Sequence, residues 1–359
     1  MRSHPSRSTA ALAAVAVVLA ACGTAQDGPD QAAPDDEPTA EAPDGGSTDV
    51  DAAEASEGPD LRIVSTVAPI ADVVAQVLGD RGEVHALVPA GMDSHNYEPR
   101  PSDVAPLSEA DAFIDNGLDL NPAAVALAEA NLPAGAPVVL LGDEALDADA
   151  LSDEQWHSHD DGQPHTHGEQ GSVGANPHVW TSVPNVVAYV RVIAAALTDL
   201  DPEGADGYAE RAATYVEELE ELDAAVRAAV DTLADDRRKL VVYHDAWTYF
   251  GREYGLEVVA AVQPSGHAEP SASDVRAIID QIRAEDVPAV FGAEEFANSV
   301  TSAIADETGA SYVGDLADDT LPGAPGDPEH SYVGMLATNA ARIVDALGGD
   351  ASALAPWTV

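Results

Sequence analysis

Two α/β lobes, each built on a mainly parallel sheet covered by helices and joined by a long rigid helix, are predicted by three features of the sequence. Strand-like and helix-like segments alternate from Arg62 onward, and one helical segment, 207–234, far outruns its neighbours. The chain after residue 60 is also long enough for two compact domains. Alternation of this kind implies crossover helices lying on both faces of parallel sheets.

The N-terminal segment precedes this pattern. Arg2 and Arg7 supply a positive start, Ala10 to Ala21 an apolar middle, and Leu19-Ala20-Ala21 leads with small residues into Cys22, the only cysteine. This is the layout of an export signal over 1–21. The apolar run is too short for a spanning helix, which needs about 20 residues. A lone thiol has no partner within the chain, so cleavage before Cys22 and lipid on its sulfur is the expected use, and the pattern resembles a bacterial lipobox. Two acyl chains give the stable anchoring that one does not. The expected location is the cell envelope, on the outer face of the cytoplasmic membrane.

Residues 22–60 follow as an acidic tether. From Gly23 to Asp60 the segment is rich in Pro, Gly, Ala, Asp and Glu and contains no Lys, Arg or aromatic residue. It buries too little apolar area to offset ordering entropy, and its like charges repel, so disorder is expected. About 38 residues of such chain span on the order of 35 Å.

The N-terminal lobe is assigned to 61–206. Its strands are Arg62 to Thr66, Val84 to Val88, Ala112 to Asn116 and Val138 to Leu141, with a helix marked by Ile70, Val73, Val74 and Val77 after the first. The linking helix, Gly207 to Ala234, carries Tyr208, Tyr215, Leu219, Leu222, Val226, Val230 and Leu233 on one stripe, with Glu217, Glu218, Glu220 and Glu221 around the exposed side. Unbroken, it is roughly 40 Å long. In the C-terminal lobe, 235–359, strands are expected at Lys239 to Tyr243, Glu257 to Val262, Ala289 to Gly292 and Ser311 to Val313, with helices at Val275 to Ala284 and Val300 to Thr308.

A net charge of −49, from 64 acidic against 15 basic residues, excludes nucleic acid and anionic lipid surfaces as natural partners and favours a cation. Four of the eleven histidines, His157, His159, His165 and His167, crowd into the segment 156–168, which has no apolar period and reads as a solvated loop. Dense imidazole on such an arm favours borderline ions such as zinc. His95, His178 and His244 stand apart, each near a strand end, where open α/β sheets bind ligands. His85, His267 and His330 read as structural or surface residues. There is no His-Glu-x-x-His helix, Gly-x-Ser-x-Gly turn or Walker loop, and the chain reads as a binding protein, not an enzyme.

The chain resembles the zinc and manganese solute-binding lipoproteins of ABC importers from about Arg62 to the C-terminus. The resemblance rests on Ser65-Thr66-Val67-Ala68-Pro69-Ile70, on Asp93-Ser94-His95-Asn96-Tyr97-Glu98-Pro99, on Asn176-Pro177-His178-Val179-Trp180, on His244-Asp245-Ala246-Trp247-Thr248-Tyr249-Phe250, and on Leu316-Ala317-Asp318-Asp319-Thr320-Leu321. It implies a rigid two-lobe receptor with metal held between the lobes by His95, His178, His244 and Asp319. Asp318, Glu294 and Glu295 are the fallback carboxylates. Asn176, where the family commonly has aspartate, and Asn96, where threonine is frequent, flank ligands without replacing them.

Three imidazoles and one carboxylate match a closed tetrahedral zinc shell with distances near 2.0–2.2 Å, whereas manganese prefers more oxygen. Zn2+ is therefore the expected cargo, passed by a monomeric receptor to an ABC permease with its ATPase subunit. A Mn2+ receptor of the same importer class, a surface adhesin and a secreted zinc hydrolase are the alternatives. If the histidine arm collects metal, its share of uptake should fade as pH falls through about 6.5, because imidazolium does not coordinate. Zinc uptake measured against pH, with and without residues 156–168, should show that difference; coincident curves would remove the arm from capture.

Overall fold

The structure, a computed structural model, describes residues 60–147, 149–151, 156–158, 164–166, 175–263, 270–294, 299–327 and 329–358. The expected signal, Cys22 and the tether up to residue 59 lie outside these residues, as do His159, His167, His267 and Glu295.

The first sheet is all parallel, in the order β2-β1-β3-β4, from β1 (Leu61–Ser65), β2 (Gly82–Ala86), β3 (Ala112–Asp115) and β4 (Val138–Leu140). Its crossovers are α1 (Ala68–Leu78), α2 (Val104–Ser108) with α3 (Pro122–Asn131), and the short α4 (Leu141–Ala145) follows β4. The central strand β3 is buried throughout, while the edge strand β2 alternates between exposed and half-buried positions. Gly82 is required where β2 meets β1, because a Cβ there would stand 2.0 Å from the Leu61 carbonyl oxygen. Beyond the strand, Leu87 and Val88 still donate to the Ser65 and Thr66 carbonyls, at 2.9 Å each. The apolar run Val84 to Val88 is thus paired to its end.

A difference from expectation lies in the histidine-rich segment. Where a loop is expected, β5 (Trp156–Ser158) and β6 (Pro164–Thr166) form an antiparallel ladder that sets His157 opposite His165 in register. A ladder of three residue pairs draws on backbone groups alone, and runs this short leave no readable period.

Two helices then lead out of the first lobe, α5 (Val183–Leu200) and α6 (Ala205–Val230). Every residue of the predicted stripe on α6, from Tyr208 to Leu233, is buried. The helix stops four residues before Ala234. The Thr232 hydroxyl donates to the Ala229 carbonyl at 2.6 Å and the Leu233 amide to Val230 at 3.0 Å, tightening the last turn out of α geometry. Helix α6 packs against α5 and α1 of the first lobe.

The second sheet repeats the first, all parallel, in the order β10-β9-β7-β8: β7 (Lys239–His244), β8 (Glu257–Gln263), β9 (Ala289–Ala293) and β10 (Ser311–Leu316). Its crossovers are α7 (Thr248–Tyr254), α8 (Ala272–Glu285) and α9 (Ser299–Thr308), and α10 (Tyr332–Ala346) closes the chain by packing on β10, α6 and α1. The two four-stranded parallel sheets with flanking helices are the architecture expected from the alternation. One apolar core runs from the first sheet through α6 to one face of the second, and Val241, Val259, Val290, Ile278 and Ile304 form a smaller cluster on the opposite face.

The corner between α5 and α6 is held by Asp201, which is 3% exposed. Its Oδ2 accepts from Arg81 Nε at 2.6 Å and from Tyr208 Oη at 2.8 Å. Burial alone would raise this carboxyl, but the bonds from Tyr208 and Arg81 outweigh it and hold Asp201 below the ordinary carboxylate range. The stabilisation is complete above the unfolded value, and is lost only as pH falls through the lower folded one. Asp201→Ala is expected to lower the melting temperature by roughly 5 °C at pH 7, with the difference from wild type shrinking below pH 4.

Candidate metal centre

Each sheet has a point where its order reverses, between β1 and β3 in the first and between β7 and β9 in the second. The loops at the carboxyl ends of strands diverge there and leave room for a ligand. His244 is the last residue of β7, and His95 lies in the loop that follows β2.

The loop carrying His95 is fixed from below by Asn121. Its Nδ2 donates to the Ser94 carbonyl at 2.6 Å and to the Tyr97 carbonyl at 3.0 Å, while its Oδ1 caps α3 by accepting from the Ala124 amide at 2.8 Å. Tyr97, 3% exposed, donates from Oη to Asp103 at 2.6 Å. The His95 amide donates to Asp93 Oδ1 at 2.9 Å, and the imidazole remains half-buried.

His178 sits just before the turn Val179–Thr181, held by Asn116 Nδ2 donating to the Pro177 carbonyl at 2.9 Å. Its amide lies 3.0 Å and its Nδ1 2.8 Å from Asn176 Oδ1, and the Trp180 ring lies against it at 5.2 Å between centroids. On the other lobe, His244 Nδ1 faces Asp318 Oδ2 at 3.3 Å.

These placements bring three imidazoles to one point. His95 Nε2 stands 3.0 Å and His244 Nε2 3.2 Å from His178 Nε2, and one ligand nitrogen from each ring lies within 4.8 Å of the others. Burial, the neighbouring His244 and His95 rings, in that order, keep His178 well below its usual value of 6.5. Burial and His95 push His244 down to about 3. Both therefore stay neutral, with lone pairs available to a cation.

Asp319, 3% exposed, feels the charge of His95 but is not among the ligand atoms gathered within 4.8 Å, which come from the three histidines. Its Oδ2 accepts from Ser94 Oγ at 2.5 Å and from the Ser94 amide at 3.2 Å, whereas its buried Oδ1 has no hydrogen-bond partner. Burial raises this carboxyl, with His95 and the Ser94 bonds pulling the other way. The neighbouring Asp318 is turned toward His244 instead. Among the remaining carboxylates, Glu294 is exposed at the end of β9. His85 is exposed on β2, and His330 places Nδ1 3.0 Å from the Pro322 carbonyl.

Several contributing residues carry no ligand-type signal in the sequence. Ser94 grips Asp319, Trp180 Nε1 donates to the Asp318 carbonyl at 2.9 Å, and Thr181 Oγ1 donates to the Ala246 carbonyl at 3.1 Å. Ser94 and Trp180 stand inside the motifs that carry the resemblance, and Thr181 directly follows Trp180.

The profile of the family described as zinc-uptake complex component A, periplasmic, matches residues 63–346. The chain belongs to this family. The zinc-uptake component A family consists of solute-binding receptors of metal transport, not enzymes. A relative within reach is the manganese-binding lipoprotein MntA of Halalkalibacterium halodurans, 30% identical over 302 residues, covering 84% of this chain and 93% of the relative. The metal ABC transporter substrate-binding lipoprotein FimA of Streptococcus parasanguinis is 25% identical over 289 residues, 80% of this chain and 89% of its own length. Among solved structures, the periplasmic zinc-binding protein TroA of Treponema pallidum superposes with a TM-score of 0.68 at 29% identity, covering 81% of this chain and 99% of its own.

The buried neutral histidines give the metal-free protein a defined pH response. Above about 6.5 they are uncharged in folded and unfolded chains alike. Below it, the unfolded chain takes up protons that folded His178 and His244 refuse, so stability falls as pH drops from 6.5 toward about 3. The slope reaches about 1.4 kcal/mol per pH unit for each group. Thermal melts of metal-free protein between pH 7 and pH 5 should record this loss, and His244→Gln should flatten it.

Proposed function

We infer that this chain is an extracytoplasmic receptor that captures Zn2+ between its lobes, through His95, His178, His244 and Asp319, and delivers it to the permease of an ABC importer. The observation that carries the reading is the convergence of three imidazole nitrogens in a buried place. Donors about 2.0–2.1 Å from a tetrahedral zinc ion stand roughly 3.3 Å from one another; His178 Nε2 lies 3.0 and 3.2 Å from the other two rings, and all three donors lie within 4.8 Å of each other. Asp319 Oδ1, buried and unpartnered, supplies the fourth donor and a negative charge.

Zinc is favoured over manganese by the donor set. Three nitrogens and one oxygen suit a borderline ion in four-coordination, whereas manganese favours oxygen-rich, higher coordination. MntA is named for manganese, TroA for zinc and FimA for no particular metal, so the donor chemistry carries the distinction. A shell filled by protein donors leaves no position for a reacting water, in keeping with transport as opposed to hydrolysis. Lipid on Cys22 anchors the receptor, the tether 22–60 gives it reach toward the permease, and the histidine-rich arm supplies ions to the cleft.

Release needs only one donor to withdraw. The segment 176–181 is bonded to the second lobe by Asn176 Nδ2 to the Asp245 carbonyl, Tyr249 Oη to the Asn176 carbonyl, Thr181 to Ala246 and Trp180 to Asp318. His95, on a half-buried loop that meets the second lobe through Ser94 and Asp319, is the donor with the most freedom. Its withdrawal, with Asp319 released from Ser94, opens the shell.

Competitive titration of metal-free protein with Zn2+ and Mn2+ is expected to favour Zn2+, and purified protein to carry one zinc by elemental analysis. His244→Ala and Asp319→Ala should each weaken Zn2+ binding by at least about 100-fold. Unchanged affinity in both folded variants would overturn the site, and preference for Mn2+ would overturn the choice of metal.

A further inference from the structure

The side chain of Asn176 can be oriented atom by atom from its partners. The His178 backbone amide needs an acceptor and stands 3.0 Å from Oδ1, while the Asp245 carbonyl needs a donor and stands 2.8 Å from Nδ2. These contacts, at opposite ends of the amide, both require the same orientation. Oδ1 is then an acceptor, and it also lies 2.8 Å from His178 Nδ1. That nitrogen must carry the proton, which leaves Nε2 with its lone pair facing His95 and His244.

We propose that Asn176 is a positioning residue for metal capture: it sets the tautomer of His178 and ties that imidazole to the strand end that carries His244. The role rests on the reading of His178 as a metal donor. Without Asn176 Oδ1 the His178 ring keeps only its bond with the Asp245 backbone, and a proton that moves to Nε2 must leave before a cation can bind. With Asn176 in place, the cost is met in the fold. The second half of the role belongs to Nδ2, whose partner Asp245 directly follows His244. Tyr249 reinforces the tie by donating to the Asn176 carbonyl at 2.8 Å. Asn176 is 2% exposed, so these bonds have no competition from water.

An amide does what a carboxylate of the same shape does only in part. Aspartate at 176 would still accept from His178 Nδ1 and from its backbone amide. Facing the Asp245 carbonyl, however, it would present a second acceptor, and this one side-chain bond between the lobes would be lost. The two functions of this residue are therefore separable by substitution.

The test compares full-length wild type with Asn176→Leu, which removes both functions, and Asn176→Asp, which keeps the acceptor alone. The tautomer is read by nitrogen NMR of the metal-free, 15N-histidine-labelled chain, and affinity by Zn2+ titration against a chelator. Wild type should show His178 protonated at Nδ1. N176L should lose that signature and bind Zn2+ roughly 10–100-fold more weakly, and N176D should restore the tautomer and recover most of the affinity. A folded N176L that keeps the Nδ1–H form, or binds Zn2+ like wild type, overturns the proposal. Should N176L fail to fold, N176D decides alone: the Nδ1–H form supports the role and the Nε2–H form overturns it. His178→Ala is the control. Unchanged Zn2+ affinity there would sink the reading of His178 as a donor, an outcome distinct from any result on the tautomer.

Discussion

Three imidazole nitrogens gathered within 4.8 Å of one another are the constraint around which this centre is arranged. His178 and His244 have given up water to be there, which costs free energy that a shared cation would offset. The surroundings hold the rings nonetheless. Two parallel sheets present the carboxyl ends of their strands, Asn121 pins the loop of His95 from below, and Asn116 fixes the backbone ahead of His178. Burial keeps His178 and His244 uncharged, which removes the proton as a competitor for the same lone pairs.

The two sides of the centre are held with unequal firmness. Around His178, side chains from one lobe reach backbone carbonyls of the other at Asp245, Ala246 and Asp318. Around His95, Ser94 grips one oxygen of Asp319. Under the proposed reading, this asymmetry puts His178 and His244 on the scaffold and His95 on a loop. Helix α6, buried along its stripe, packs on α1, α5, α7 and α10.

Much of this was legible in the sequence because it is local. Strand and helix alternation, the seven-residue stripe of α6 and the position of His244 at a strand end all depend on neighbours a few residues away. Other features depend on closure over long distances. Ser94 meets Asp319 across 225 residues, and nothing near Ser94 signals it. Which of Asp318 and Asp319 turns toward His244 depends on the path of the chain after β10, a question of direction that composition does not encode. The pairing of β5 with β6 escaped for the opposite reason, since strands of three residues are too short to carry a pattern. The histidine, aspartate and asparagine motifs were readable as a group through resemblance, whereas the partner of each side chain was not.

Helix α10 belongs to the second lobe by sequence, yet it rests on α1 and α6 as well as on β10. Asp72 of α1 accepts from the Tyr332 amide at 2.8 Å, so a carboxylate of the first lobe receives the opening turn of the final helix. Tyr332 Oη in turn donates to the Trp180 carbonyl at 2.7 Å. The halves are consequently not interchangeable cassettes. A chimaera spliced at α6, joining this first lobe to the second lobe of another receptor, would import a foreign α10 against α1, and recombination would succeed only between parents matched along that seam.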